Sequence, residues 1–197
     1  MSRYKDTFDI NIGRVNTLCI LYETLQNLGV AEQSGNRLTD ILRAAVVLLH
    51  SSFEEYFRNV LYELLPKNGE ESDFKNISFV GSEGKRENKI SIGQLIKHRS
   101  KTVDEVIQES IAETLSFTSF NDFSDICGWA EKAKINISSF SKQSTLNKII
   151  NRRHKIVHEA DNSKSEPEFM LTPIKVKTVM EWIDVVRELV TIIDTQI

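Results

Sequence analysis

A chain of 197 residues, 40% apolar and 27% charged, has the size and composition of a single folded domain, 1–197, with a core of its own. Its formal net charge of −3 excludes a global basic field that would gather polyanions, so any nucleic-acid contact must come from a local patch. The two cysteines, Cys19 and Cys127, have no metal-type spacing, "MSRYKDTFDI" carries no apolar leader core, and no run approaches membrane-spanning length. Together these features read as a cytoplasmic chain with reduced thiols and no membrane contact.

Apolar residues recur at helical spacing through most of the chain. The first predicted helix spans Thr7 to Leu28, with Ile12, Val15, Leu18, Cys19, Tyr22 and Leu25 on one side and Gly29 at its end. The second runs from Arg37 to Leu65, where Pro66 is expected to stop it. Leu42, Val46, Leu49, Phe53, Tyr56, Val60 and Leu64 give it an apolar surface broad enough for a central position. Residues 66–93 break the pattern with glycines and charges; they read as an excursion between helices, with a short strand at Ile77 to Val80. A helical segment from Gln94 to Leu115 contains a second start signal at Thr102 to Glu105. "NDFSDICGWAEKAKI" is a shorter helix, and "SKQSTLNKIINRRHKIVHEA" another, capped by Ser141 or Ser144. After a polar link, Thr172-Pro173 opens the last helix, whose apolar side carries Val176, Val179, Met180, Ile183, Val186, Val190 and Ile193. The fold class is all-α, an up-and-down helical bundle with added short helices.

The helix holding "NRRHKIVHEAD" is dense in cations. At 100° per residue, Ile149, Ile150, Ile156 and Val157 fall within about 80° of Leu146, and Arg153 lies near the middle of that apolar face. A buried guanidinium is costly unless paired, so Arg153 must meet an acid or stand where the face opens into a cleft. Asn147, Asn151, His154, His158 and Asp161 recur as a polar seam, either a solvated face or one turned to a partner helix. Arg152 and Lys155 point away from the apolar face, where the helix dipole alone accounts for cations. His154 and His158 have the spacing of a metal pair, but the intervening Glu of a zincin and a third ligand are missing, so no metal or other cofactor is expected. Arg153 and His158, five positions apart, point about 140° from each other on a straight helix. They can share one phosphate only if the arginine curls round, the helix ends near His158, or a second copy supplies one group.

Arg153-His154-Lys-Ile-Val-His158 resembles the Arg–polar–His signature of the HEPN superfamily. "AAVVLLHSSFEEYFRNVLYELL", with its aromatic–Glu pair Phe53-Glu54, and "SKTVDEVIQESIAETLSFTSFNDFSDI" resemble the preceding helices of the RiboL-PSP-HEPN group. The resemblance extends from about residue 8 to 195. It implies a metal-independent endoribonuclease that works as a homodimer on RNA, with two copies of the motif forming one composite cleft, in a toxin or phage-defence setting where a cognate antitoxin is a further partner.

In RNA cleavage the 2′-hydroxyl is the nucleophile, an imidazole can serve as base or acid, and a guanidinium fits the phosphate. His158 is therefore the expected acid/base and Arg153 the phosphate clamp. For His154 two readings stand, orientation of the phosphate or of His158, and an ordinary surface histidine. Glu54 is the candidate to hold Arg153, against an ordinary inter-helix salt bridge, while Glu55 is expected in solvent. Asn151 either binds phosphate or lines the seam. Lys85, Arg86, Lys89, Lys97, His98, Arg99 and Lys101 are either a basic patch for the RNA backbone or a solvated loop. The main alternative function is a catalytically inactive HEPN-fold dimeric interaction or regulatory module; a nucleotide-binding domain is weaker, because no phosphate-cradling glycine loop occurs.

Overall fold

A computed structural model describes residues 2–29, 38–82, 90–163 and 170–197. Within these residues eight helices follow in order: α1 (Arg3–Asn27), α2 (Asp40–Asn68), α3 (Glu71–Phe74), α4 (Ile92–Ile96), α5 (Val103–Phe117), α6 (Phe123–Lys132), α7 (Gln143–Glu159) and α8 (Val176–Asp194). Two two-residue strands, β1 (Asn162–Ser163) and β2 (Met170–Leu171), pair antiparallel between α7 and α8. The all-α expectation holds, and the small hairpin lies where a polar link was expected.

The broad apolar surface of α2 makes it the hub: α1, α5, α6, α7 and α8 all pack on it. Leu42, Val46, Leu49, Phe53, Tyr56 and Val60 are essentially withdrawn from solvent. Full burial of such side chains stabilises by about 1.5–3 kcal/mol each. Phe53 stacks on Phe57 at 5.7 Å, and Phe57 and Phe120 form a T-shaped pair at 5.0 Å, which ties α2 to the loop before α6. On α8, Val179, Ile183, Val186, Val190 and Ile193 are buried as their spacing predicts, but Met180 stays exposed.

Several boundaries differ from the sequence expectation. Arg37, the expected start of the second helix, lies outside the described residues; α2 is helical from Asp40 and runs past Pro66 to Asn68. Pro66 removes only the bond to the Tyr62 carbonyl, in the closing turns, and burial of Leu64 and Leu65 holds those turns helical. Ile77 to Val80 is not a strand. Ser78 and Val80 donate their backbone N–H groups to Thr114 Oγ1 (3.2 Å) and Ser110 Oγ (3.0 Å) of α5, so side chains rather than a neighbouring strand satisfy this segment. The segment from Gln94 to Leu115 is two helices, because Thr102 starts a new one: its hydroxyl accepts from Glu105 N while the Glu105 side chain accepts from Thr102 N.

Neither Ser141 nor Ser144 caps α7; Lys142 takes the N-cap position without a side-chain bond. At its other end Ala160 and Asp161 both adopt positive φ, +48° and +58°, and Asp161 N donates to the Lys155 carbonyl at 3.0 Å. This left-handed exit sends the chain into the hairpin. Pro173 is not the first residue of α8, which starts at Val176: Thr172 is held back by two bonds to the Asp161 carbonyl, from its backbone N–H (2.9 Å) and its hydroxyl (3.0 Å).

The same exit overturns two expectations about side chains. Asp161 is no member of an outward polar seam; it is wholly buried and accepts from Arg43 Nε at 2.6 Å and Arg152 Nη2 at 2.8 Å. Arg152 does not simply answer a helix dipole in solvent: it is half-buried and also donates to the Thr172 carbonyl at 2.7 Å. Helical-wheel angles do not apply to Asp161, because the helix has ended before it.

Candidate active site

Three elements enclose a cleft of about 300 Å³. His50 and Glu54 rise from α2, Ile150, Asn151, Arg153 and His154 from α7, and Ser119, Phe120 and Asn121 come from the loop between α5 and α6. Each wall is held by bonds traceable to the sequence. Arg58, one turn beyond Glu54, donates to the Leu115 carbonyl (Nε, 3.2 Å) and the Thr118 carbonyl (Nη2, 2.9 Å), closing the end of α5. Its guanidinium also lies over Phe120, 5.6 Å from the ring centre. Asn147 Oδ1 accepts from Phe123 N at 2.8 Å, and Asp122 caps α6 through Asp125 N. Asn147 thus anchors the start of α6 to α7 and fixes the loop between.

Arg153 is half-buried, and its Nε has no hydrogen-bond partner among the described residues. Of the two environments expected for it, an acidic partner or a cleft, the structure places it at the cleft. Glu54 is buried, but its ion-pair contacts are not with Arg153. Its Oε1 lies 3.4 Å from Arg58 Nη2 and its Oε2 3.7 Å from His50 Nδ1. The reason is spacing: Arg58 follows Glu54 by one helical turn on the same face, a shorter path than the crossing to α7. Among the described residues no ion pair joins Arg153 to an acid. Glu55 is exposed and accepts from Asn11 Nδ2 at 3.1 Å.

His154 and Asn151 are exposed at the cleft mouth beside Arg153. His158 does not line the cleft of its own chain. It is exposed one turn along, its ring centre 4.6 Å from that of His154. The helical angle between Arg153 and His158 therefore persists in the fold, with His154 standing between them. Val157, expected on the buried face, is 47% exposed, and Ile156 is only partly buried, so the apolar face of α7 ends with Ile150.

His50 has no place in the sequence expectation. It is 4% exposed, and neither ring nitrogen has a hydrogen-bond partner among the described residues. Burial, together with the positive charges of Arg153 and Arg58, outweighs the attraction of Glu54 and lowers its pKa from 6.5 to about 4. The imidazole is therefore neutral at pH 7. The signal for it was present: His50, Glu54 and Arg58 recur every four residues as one polar strip on an apolar helix.

Of the seven basic residues read either as a patch for the RNA backbone or as a solvated loop, four are described. Lys85, Arg86 and Lys89 lie outside the described residues. Lys101 is paired with Glu109 at 2.5 Å, and His98 lies 3.9 Å from the same carboxylate, edge-on to Phe79. Lys97 and Arg99 remain exposed.

Comparison with known proteins resolves the class. Residues 16–197 match the RiboL-PSP-HEPN family. The chain is a member of that family. Nothing among curated proteins or solved structures matches it. HEPN domains are often ribonucleases, and membership supports a nuclease-type, RNA-related role. No helix among the described residues is long and apolar enough to cross a membrane. In this HEPN chain the signature residues Arg153, His154 and His158 lie along one side of the cleft and the adjoining surface of α7.

Proposed function

We propose that this HEPN protein is a metal-independent endoribonuclease whose complete site forms when two copies bring their α7 helices together. The observation that carries this reading is the position of Arg153: a guanidinium at a cleft mouth, without a carboxylate partner among the described residues, next to two exposed imidazoles. An arginine kept only for structure is normally paired, as Arg43 and Arg152 are here with Asp161. One without an acid is suited to an anion from outside.

RNA brings the nucleophile. An imidazole takes the 2′-hydroxyl proton, the 2′-oxygen attacks phosphorus, and the P–O5′ bond breaks. A second imidazole gives its proton to the departing 5′-oxygen. Arg153 donates to the phosphoryl oxygens, where negative charge grows in the pentavalent transition state. His158 is the acid/base of this scheme, and His154 orients the phosphate or its neighbour. Because His158 lies outside the cleft of its own chain, it serves the Arg153 of the partner copy. The products are a 2′,3′-cyclic phosphate and a 5′-hydroxyl.

The test is cleavage of single-stranded RNA in EDTA, with analysis of product ends. Expected are cyclic-phosphate ends and loss of activity in both Arg153→Ala and His158→Ala. Mixing these two inactive variants restores partial activity if each copy lends its intact group to the other. A folded, dimeric wild type that leaves RNA intact favours the interaction-module reading instead.

A further inference from the structure

We infer that the cleft beneath Arg153 is a subsite for one nucleobase next to the scissile phosphate, and that His50 with Glu54 selects bases bearing an exocyclic amino group. The inference rests on the ribonuclease reading for its place in the reaction, but its structural basis is separate. A volume of about 300 Å³ lies at the small end of the range for ligand sites, roughly 300–1,000 Å³, and suits one nucleoside rather than a stretch of chain.

Two residues that line this space carry buried polar atoms without hydrogen-bond partners among the described residues: both ring nitrogens of His50, of which Nδ1 faces Glu54 Oε2 at 3.7 Å, and Nε of Arg153. Buried polar atoms are nearly always satisfied, so each calls for a reason. His50 takes no part in the proton transfers proposed above, and it is far more buried than the imidazoles that do. A neutral imidazole presents one donor and one acceptor. Glu54 Oε2, 3.7 Å from Nδ1, favours the proton on that nitrogen and leaves Nε2 as an acceptor. The carboxylate itself is a second acceptor, fixed from behind by Arg58. The floor of the cleft is thus rich in acceptors, matching the amino groups of adenine, cytosine and guanine; uracil has no amino group and turns two carbonyls to the same surface. Ser119, Asn121 and Asn151 supply polar contacts at the rim, and Phe120 an apolar wall. RNA is commonly read in this manner, one unstacked base at a time.

Two measurements test the inference. In the first, wild type, His50→Leu and His50→Gln cleave a randomised RNA pool and the bases beside each cut are read by sequencing. Expected is exclusion of uracil from one flanking position, relaxed about tenfold in His50→Leu and largely kept in His50→Gln, whose amide retains an acceptor. Cleavage with no base preference, or with the same preference in His50→Leu, overturns the subsite and leaves the ribonuclease reading standing. The second needs neither activity nor a stable variant. Wild-type protein with ¹⁵N-labelled histidines is titrated with CMP, AMP, GMP and UMP. The four imidazoles are few enough to follow singly. A shift of the His50 nitrogens with the three amino-bearing nucleotides and not with UMP supports the subsite even if no RNA is cut. No shift with any of them means that ordered water alone fills the cleft, and overturns it.

Discussion

Replacing Asp161 tests whether the far end of the signature helix is held by charge. The carboxylate is wholly buried and accepts from two guanidinium groups, Arg43 at 2.6 Å and Arg152 at 2.8 Å. Arg43 is itself only 6% exposed, so neither cation there is free to recover full hydration when the acid is removed. Breaking a buried pair by deleting one partner typically costs about 3–5 kcal/mol. Here the low end applies, because both arginines keep the Thr172 carbonyl and Arg43 keeps Thr39 and Asp40. Asp161→Asn preserves shape and tolerance of positive φ and removes the charge; its expected cost is about 2–3 kcal/mol. Asp161→Ala adds the penalty of a left-handed non-glycine residue, about 1–2 kcal/mol. For a chain of this length the asparagine variant should melt roughly 5–10 °C lower. Urea unfolding followed by circular dichroism gives the free energies. A double-mutant cycle with Arg152→Met should then show coupling of about 1–3 kcal/mol. If Asp161→Asn stays within about 0.5 kcal/mol of wild type, the buried charge is not what holds this corner, and the reasoning fails.

His50 gives a pH dependence of defined sign. Its folded pKa, about 4, lies below the ordinary 6.5, so the unfolded chain binds the extra proton first as acid is added. The stability it contributes is complete above about pH 6.5 and is lost as the pH falls towards 4, a total of about 3 kcal/mol. His50→Leu should lose that much less stability than wild type between pH 7 and 4 in urea titrations; equal losses would contradict it. Arg58→Leu frees Glu54 and uncaps α5, and should cost about 2–3 kcal/mol while raising the KM for RNA more than it lowers kcat. Asn147→Ala removes one bond at the start of α6 and should cost about 1 kcal/mol, measured by thermal melting. His158→Ala should lower kcat by about 10²–10⁴-fold with an unchanged melting temperature, because the side chain is exposed. A drop in stability that accounts for the lost activity would remove it from the acid/base role.

The helical class, the central rank of α2, the buried faces of α1 and α8 and the start of α5 at Thr102 were all legible in the sequence. Each rests on local periodicity or on a cap that a few neighbouring residues complete. The signature residues Arg153, His154 and His158 stood out through the family resemblance, while the sequence left open whether Arg153 meets an acid or a cleft. What the sequence could not decide is which charges meet. Glu54 had two arginines within plausible reach; the i,i+4 spacing offered it to Arg58, but only the structure shows that this pair forms and that, among the described residues, Arg153 meets no acid. Asp161 looked like one more polar residue on a helical seam, until a left-handed exit turned it inward between Arg43 and Arg152, the former 118 positions away. His50 lay on a visible polar strip, but its desolvation depends on helices remote in sequence. Periodicity is a property of neighbours along the chain; burial and charge pairing are properties of neighbours in space, and those the fold alone assigns.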